Sequence, residues 1–250
     1  MTTPEQLARL QARAIENPME EPAFFQALLT AVLYVHLPLS DASGKVRLIC
    51  FTRPDGITVI PVFSDDVKAH AAARGAARVV AVVGRELFES APGATWMLDP
   101  NDVSCTLYPE EIVALLRSGC VPIVQRHDAG DPTVVRAARP EDAWIGEAAV
   151  RAALSFKAIS EVYLLEVARE EPQRTSGLLV VLAVSQLYSE QAVRAVGVAL
   201  VACPQVPRLP VDVTVYDSDE PPEWLVASHI GPLWHRGYDG ASSQASSNDR

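Results

Sequence analysis

ARVVAVVGRELFESAPGATWMLDPND, residues 77–102, decides the fold, because a β-branched apolar run passes straight into glycine and then into a helix-forming segment. Such a junction is either a ligand-binding loop after a strand or a piece of scaffold. Gly84 is followed by no second or third glycine at dinucleotide spacing and by no Gly-Lys-Ser/Thr, so the stretch does not make a phosphate cradle. Arg85 to Glu89 instead reads as one helical turn that points Leu87 and Phe88 inward. Pro92-Gly93 is a tight turn, and Trp96 to Leu98 return to a sheet, ended by Asp99-Pro100. Phe88 and Trp96 are expected in the core, and the stretch is read as scaffold.

Working outward towards the N-terminus, Leu7, Leu10, Ala14 and Ile15 recur at helical spacing, as do Phe24, Phe25, Leu28 and Leu29. Two amphipathic helices therefore open the chain, the second with Pro22 in its first turn, where a missing N–H costs nothing. Val32 to His36 reads as a strand. Val46 to Thr52 and Ile57 to Phe63 flank Arg53-Pro-Asp-Gly56 and read as a hairpin. Ser64-Asp-Asp precedes a short helix, Val67 to Arg74, as a polar cap would. Tyr108 to Gly119 has acids in its first turn, Arg117 near its end and glycine just beyond, the charge order of a capped helix.

Towards the C-terminus, Pro122, Gly130, Asp131, Pro132 and Pro140 interrupt regular structure, although Val121 to Val124 has the composition of a strand. Beyond them follow a helix from Ala143 to Ile159, strands at Glu161–Val167 and Leu178–Val184, a helix at Ser189–Leu200 and an alternating strand at Val211–Tyr216. The fold class predicted is α+β, with two compact mixed-sheet domains and helices packed on the sheets. The expected boundaries are 1–119 for the first domain, 120–139 for a linker, 140–236 for the second domain and 237–250 for a polar tail too poor in apolar residues to order.

The chain has 250 residues, 49% of them hydrophobic, enough to bury a sizeable core. Its formal charge of −10 disfavours nucleic acid, whose phosphates select clustered lysine and arginine. The first residues form no secretory signal, and no window approaches the roughly 18 apolar residues of a membrane span. A cytoplasmic protein without membrane insertion is the expectation, and export by a signal-independent machine stays compatible with it.

Candidate chemistry is sparse. Cys50, Cys105, Cys120 and Cys203 are scattered without a CxxC pair and are read as free, mostly buried thiols. His229 and His235 stand six apart across Gly231-Pro232, a spacing of no common metal helix, so no metal is expected. Glu110 and Glu111 diverge by about 100° on a helix and suit its N-terminus better than acid/base work. No Gly-x-Ser-x-Gly elbow occurs. The expectation is a protein that is not an enzyme, with no catalytic residues and no cofactor.

The order of these features resembles the SseB family, the enhanced serine sensitivity proteins with N-terminal and C-terminal SseB domains. The similar features are the opening helices, Tyr34-Val35, Ile60-Pro-Val-Phe-Ser64, Gly84-Arg-Glu-Leu-Phe88, Pro92-Gly-Ala94, Leu98-Asp-Pro100 and Tyr108-Pro-Glu-Glu-Ile112. In the second half they are Val162-Tyr-Leu164 and Gly231-Pro-Leu-Trp-His-Arg236. The loop Asn101 to Thr106 departs from the family. The resemblance implies a bacterial binding or adaptor protein acting through protein–protein contacts, associated with type III secretion, with no catalytic residues to carry over. Arg85 and Glu86 are the candidate partner contacts. The alternative it implies is a sensor of an amino acid or other small molecule, linked to serine sensitivity.

Overall fold

A computed structural model describes residues 2–40, 46–124, 131–169 and 175–237. The chain divides into two compact units, Met1–His127 and Asp128–Arg250. Of the 14 tail residues expected to be disordered, only Gly237 is described; 238–250 lie outside the described residues, as do 125–130 within the expected linker.

The first unit opens with α1 (Pro4–Glu16), started by a reciprocal cap in which the Thr3 hydroxyl accepts from the Gln6 amide at 3.3 Å and Gln6 Oε1 accepts from the Thr3 amide at 3.0 Å. There follow α2 (Glu21–Thr30), β1 (Val32–Pro38), β2 (Phe51–Thr52), β3 (Thr58–Phe63), α3 (Asp66–Ala73), β4 (Ala77–Val83), α4 (Gly84–Ser90), β5 (Trp96–Leu98), β6 (Cys105–Leu107) and α5 (Pro109–Ser118). The strands form one mixed sheet in the order β4-β1-β3-β5-β6, with β2 beside β3. Only β3 and β5 run parallel, with Val62 opposite Leu98. The core lies between this sheet and the helices, around Phe24, Leu28, Leu33, Phe88, Trp96 and Ile112. Phe88 and Trp96 meet edge to face at 5.5 Å.

The opening junction is scaffold of a demanding kind. The Gly84 amide donates to Ala31 O at 2.9 Å, and a Cβ at Gly84 would stand 1.9 Å from the carbonyl oxygen of Leu28. Strand β4 can turn into α4 against the end of α2 only because this residue has no side chain. Helix α4 spans seven residues and not one turn, and it seals Leu87 and Phe88 into the core.

The second unit contains β7 (Val134–Ala137), α6 (Ala143–Ser155), β8 (Ile159–Arg169), β9 (Thr175–Val184), α7 (Ser189–Val201), β10 (Val211–Tyr216), α8 (Glu223–Ala227) and β11 (Trp234–His235). Its sheet runs β10-β9-β8-β11, with β7 also on β8 and with β10 parallel to β9. Helices α6 and α7 cover one face, packing Ile145, Ala149 and Val196 on Leu164, Val180 and Leu182. Both units are thus α+β with mixed sheets.

Several local expectations change. Of Val46–Thr52 only Phe51 and Thr52 are strand, and Val121–Val124 makes none. The interval 120–139 carries β7 near its end, held by pairing of Val134 to Ala137 with β8. Helix α6 stops at Ser155, and Arg236 satisfies carbonyls at and beyond its end: its guanidinium donates to Ala153 O at 2.5 Å, Phe156 O at 3.3 Å and Ile159 O at 2.9 Å, and lies 5.0 Å over the Trp234 ring. The closing Trp-His-Arg is therefore structural. No cysteine is buried: Cys50 and Cys120 are exposed, Cys105 and Cys203 half-buried, because each lies at or beyond the end of an element.

Candidate functional site

Parallel pairing brings the carboxyl ends of β3 and β5 side by side, and each is followed by a polar residue that faces the other. After β3 comes Ser64; after β5 comes Asp99, with 1% of its surface exposed. Asp99 takes φ of +46°, a left-handed conformation that aspartate tolerates better than most residues. Its amide donates to Val62 O at 2.8 Å and its carbonyl accepts from the Asp102 amide at 3.0 Å, closing a turn with Pro100 at its second position.

The Asp99 carboxylate is satisfied by three donors. Ser64 gives its amide at 2.9 Å and its hydroxyl at 2.6 Å, and Lys68 Nζ donates at 2.7 Å. Lys68 is delivered by α3, whose start is fixed by Asp65 accepting from the Lys68 amide at 2.8 Å. The same ammonium reaches Asp102 at 3.1 Å and the Ser64 hydroxyl oxygen at 3.3 Å. Burial pulls the Lys68 pKa down, but hydrogen bonds and charge from Asp99 and Asp102 outweigh it and hold the ammonium above the ordinary lysine value. In return, chiefly through the hydrogen bond from Lys68, Asp102 is held below the ordinary aspartate range.

Lys68, Asp99 and Asp102 line a cleft of about 610 Å³, completed by Phe63, Ala71, Ala72, Arg74 and Asn101. Arg74 ends α3 in the left-handed conformation, φ 48°, and its exposed guanidinium makes no ion pair among the described residues. Lysine kept protonated has no lone pair with which to take the Ser64 proton, and that proton already points at Asp99. The network suits holding charge in place at the wall of a polar cleft.

Arg85 and Glu86 lie elsewhere, exposed on α4. Arg85 Nη1 stands 3.4 Å from Glu89 Oε1 and 3.4 Å from Leu116 O, and Glu86 has no ion pair among the described residues. Glu111 is buried and accepts from the Tyr108 amide at 3.0 Å, the helix-start role expected for it. His235 approaches Glu161 at 3.6 Å, while His229 occupies a left-handed turn; among the described residues no group of His, Cys, Asp and Glu is placed to hold a metal. Also among the described residues, no helix is long and apolar enough to cross a membrane.

Sequence reasoning missed Ser64, Lys68 and Asp99 as one constellation. The available signal was a Ser-Asp-Asp-x-x-Lys helix start after one strand and an Asp-Pro directly after another. Neither local pattern says that the two strands are neighbours.

A second ionic cluster occupies the other unit. Arg208 Nη2 donates to buried Asp142 at 3.0 Å and to Glu166 at 2.7 Å, and its Nε faces Glu141 at 3.1 Å. The hydrogen bond from Arg208 is the main reason that Glu166 is held below the ordinary glutamate range. This cluster ties the start of α6 to β8.

Comparison with known proteins bears on the first unit. Residues 5–114 match the family model of the SseB protein N-terminal domain, an interval that contains the cleft, α4 and the Gly84 junction. Searches of curated proteins and of solved structures gave no match. The first unit thus carries an SseB protein N-terminal domain.

Proposed function

We propose that the chain is a non-catalytic binding protein that acts, as an adaptor, through protein–protein contacts made by its first unit. The observation that carries this reading is the open edge of β4. Among the described residues the strand ends the sheet, its seven residues pair with β1 without a bulge, and it runs directly into exposed Arg85 and Glu86. Natural sheets usually blunt such an edge with proline, charge or a bulge, and β4 carries only Arg78. An edge of this kind accepts an added strand, with main-chain hydrogen bonds giving affinity and flanking side chains giving selectivity.

The test is affinity purification of the tagged protein from its native cells, comparing the wild type with Arg85→Ala/Glu86→Ala. Loss of a stoichiometric protein in the double variant supports the contact surface. Unchanged recovery removes both residues from it, and no recovered protein from the wild type overturns the adaptor reading. The partner's identity decides whether secretion is the setting.

The 610 Å³ cleft favours a second reading, a small-molecule sensor. A ligand at 100 times its dissociation constant stabilises by about 2.7 kcal/mol, so a thermal-shift panel of amino acids tests it directly. No shift across the panel counts against that reading.

A further inference from the structure

The register of β4 on β1 determines which of its main-chain groups point out of the sheet. Gly84 donates to Ala31 O, and pairing then continues through Val82 with Leu33, Val80 with Val35 and Arg78 with Leu37. In an antiparallel ladder bonded and non-bonded pairs alternate. Gly84, Val82, Val80 and Arg78 therefore bond inward, and Ala77, Val79 and Ala81, with the amide of Val83, face outward. Among the described residues these outward groups meet no strand. The His36 carbonyl bears out the phase: it accepts from the Ile49 amide at 2.9 Å, on the side of β1 away from β4.

Charge along the strand is polarised. Arg74 and Arg78, both exposed, stand at its start, and exposed Glu86 follows its end; none of the three has an ionic partner among the described residues. Arg85 is engaged with Glu89. Two copies aligned in parallel would bring like charge to like charge. Aligned antiparallel about Val80, they place Val79 of one copy opposite Ala81 of the other, both with outward N–H and C=O, and set Arg78 across from Val82. The basic start of each strand then meets the acidic end of its mate, and the symmetry closes the contact at two copies.

We infer that β4 is a self-association edge, on which a second copy of this chain docks antiparallel to continue the sheet. The inference rests on the reading of this edge as a contact surface and names its occupant.

Sedimentation of the purified full chain at tens of micromolar and above tests it. The wild type is expected to be a dimer. Ala81→Pro removes one outward amide and no bond to β1, and proline is tolerated on an edge strand whose N–H faces away from its neighbour; this variant is expected to be monomeric with its circular dichroism retained. Glu86→Arg is expected to weaken the dimer at least tenfold, and Arg74→Glu/Arg78→Glu combined with Glu86→Arg is expected to restore it. The rescue keeps the test decisive even where Ala81→Pro fails to fold. A monomeric wild type overturns the inference, and so does a dimer indifferent to both Ala81→Pro and Glu86→Arg. A monomer that still captures another protein through this edge, and loses it on Ala81→Pro, refutes self-pairing while preserving the adaptor reading. A monomer that captures nothing refutes both.

Discussion

The two units each bury an aspartate beside a cation, and the two solutions differ. Asp99 receives three donors, two of them from Ser64, whose backbone is fixed by the end of β3; Lys68 adds the third. Asp142 receives one, from Arg208. Removing a carboxylate from water is offset only when its lone pairs are filled, so the number and rigidity of the donors set how far each site depends on its cation. Asp99 is built into the sheet, and its lysine is left facing a cleft. The hold on Asp142 rests on a side chain from a distant loop.

The largest effect is expected from Asp99→Ala. It leaves the buried Ser64 amide and hydroxyl without an acceptor and deprives Lys68 of its closest partner, costing about 3 kcal/mol. Urea unfolding followed by circular dichroism measures it, and a loss below about 1 kcal/mol would mean that the network contributes no more than a surface pair.

Next comes the pair that compares the sites most directly. Arg208→Met deprives Asp142 of its hydrogen-bond donor, whereas Lys68→Met leaves Asp99 with both bonds from Ser64. The urea midpoint should therefore fall further for Arg208→Met. Lys68→Met is expected to cost about 1 kcal/mol, since its ammonium is partly solvated. Equal losses would show that Ser64 does not support Asp99 independently. If a small anion occupies the cleft, Lys68→Met should also abolish its thermal shift, which Arg208→Met leaves intact.

The contrast also explains what could be read from sequence. Helix α5 was legible because proline, two acids, a late arginine and Gly119 at φ 74° all act within the element. The β2–β3 turn was legible for the same reason: Gly56 at φ 87° donates to Arg53 O at 2.9 Å. Strands β6 and β11, three and two residues long, were not: β5 is as short but is marked by Pro92-Gly93 before it and Asp99-Pro100 after it, whereas these two are defined only by the ladder beside them. Gly84 was recognised as scaffold, but its reason, the Leu28 carbonyl 1.9 Å from a notional Cβ, lies 56 positions away in the chain. The cleft failed in the same way. Asp65 capping α3 was visible, while Asp99 meeting Ser64 depends on the parallel pairing of β3 with β5, which no local pattern records.

The smallest effect, and the one that separates cleft wall from buried anchor, is expected from Asp102→Asn. This exposed group shares Lys68 with Asp99 but supports nothing beneath it, so the urea midpoint at neutral pH should move least of the four. Its mark is in the pH profile. A carboxyl held below its ordinary value stabilises the fold above the ordinary aspartate range and loses that contribution as pH falls through its folded value, so the acid limb of the stability curve should become shallower in Asp102→Asn. Lys68 has the opposite sign: its raised value gives stability below the ordinary lysine range that disappears as pH rises through its folded value, and Asp102→Asn should bring that alkaline loss to lower pH. Urea midpoints across both limbs decide it. A profile unchanged at both ends would mean that Asp102 does not hold Lys68 in solution, leaving that ammonium bound to the buried side alone and one of its protons turned into the cleft.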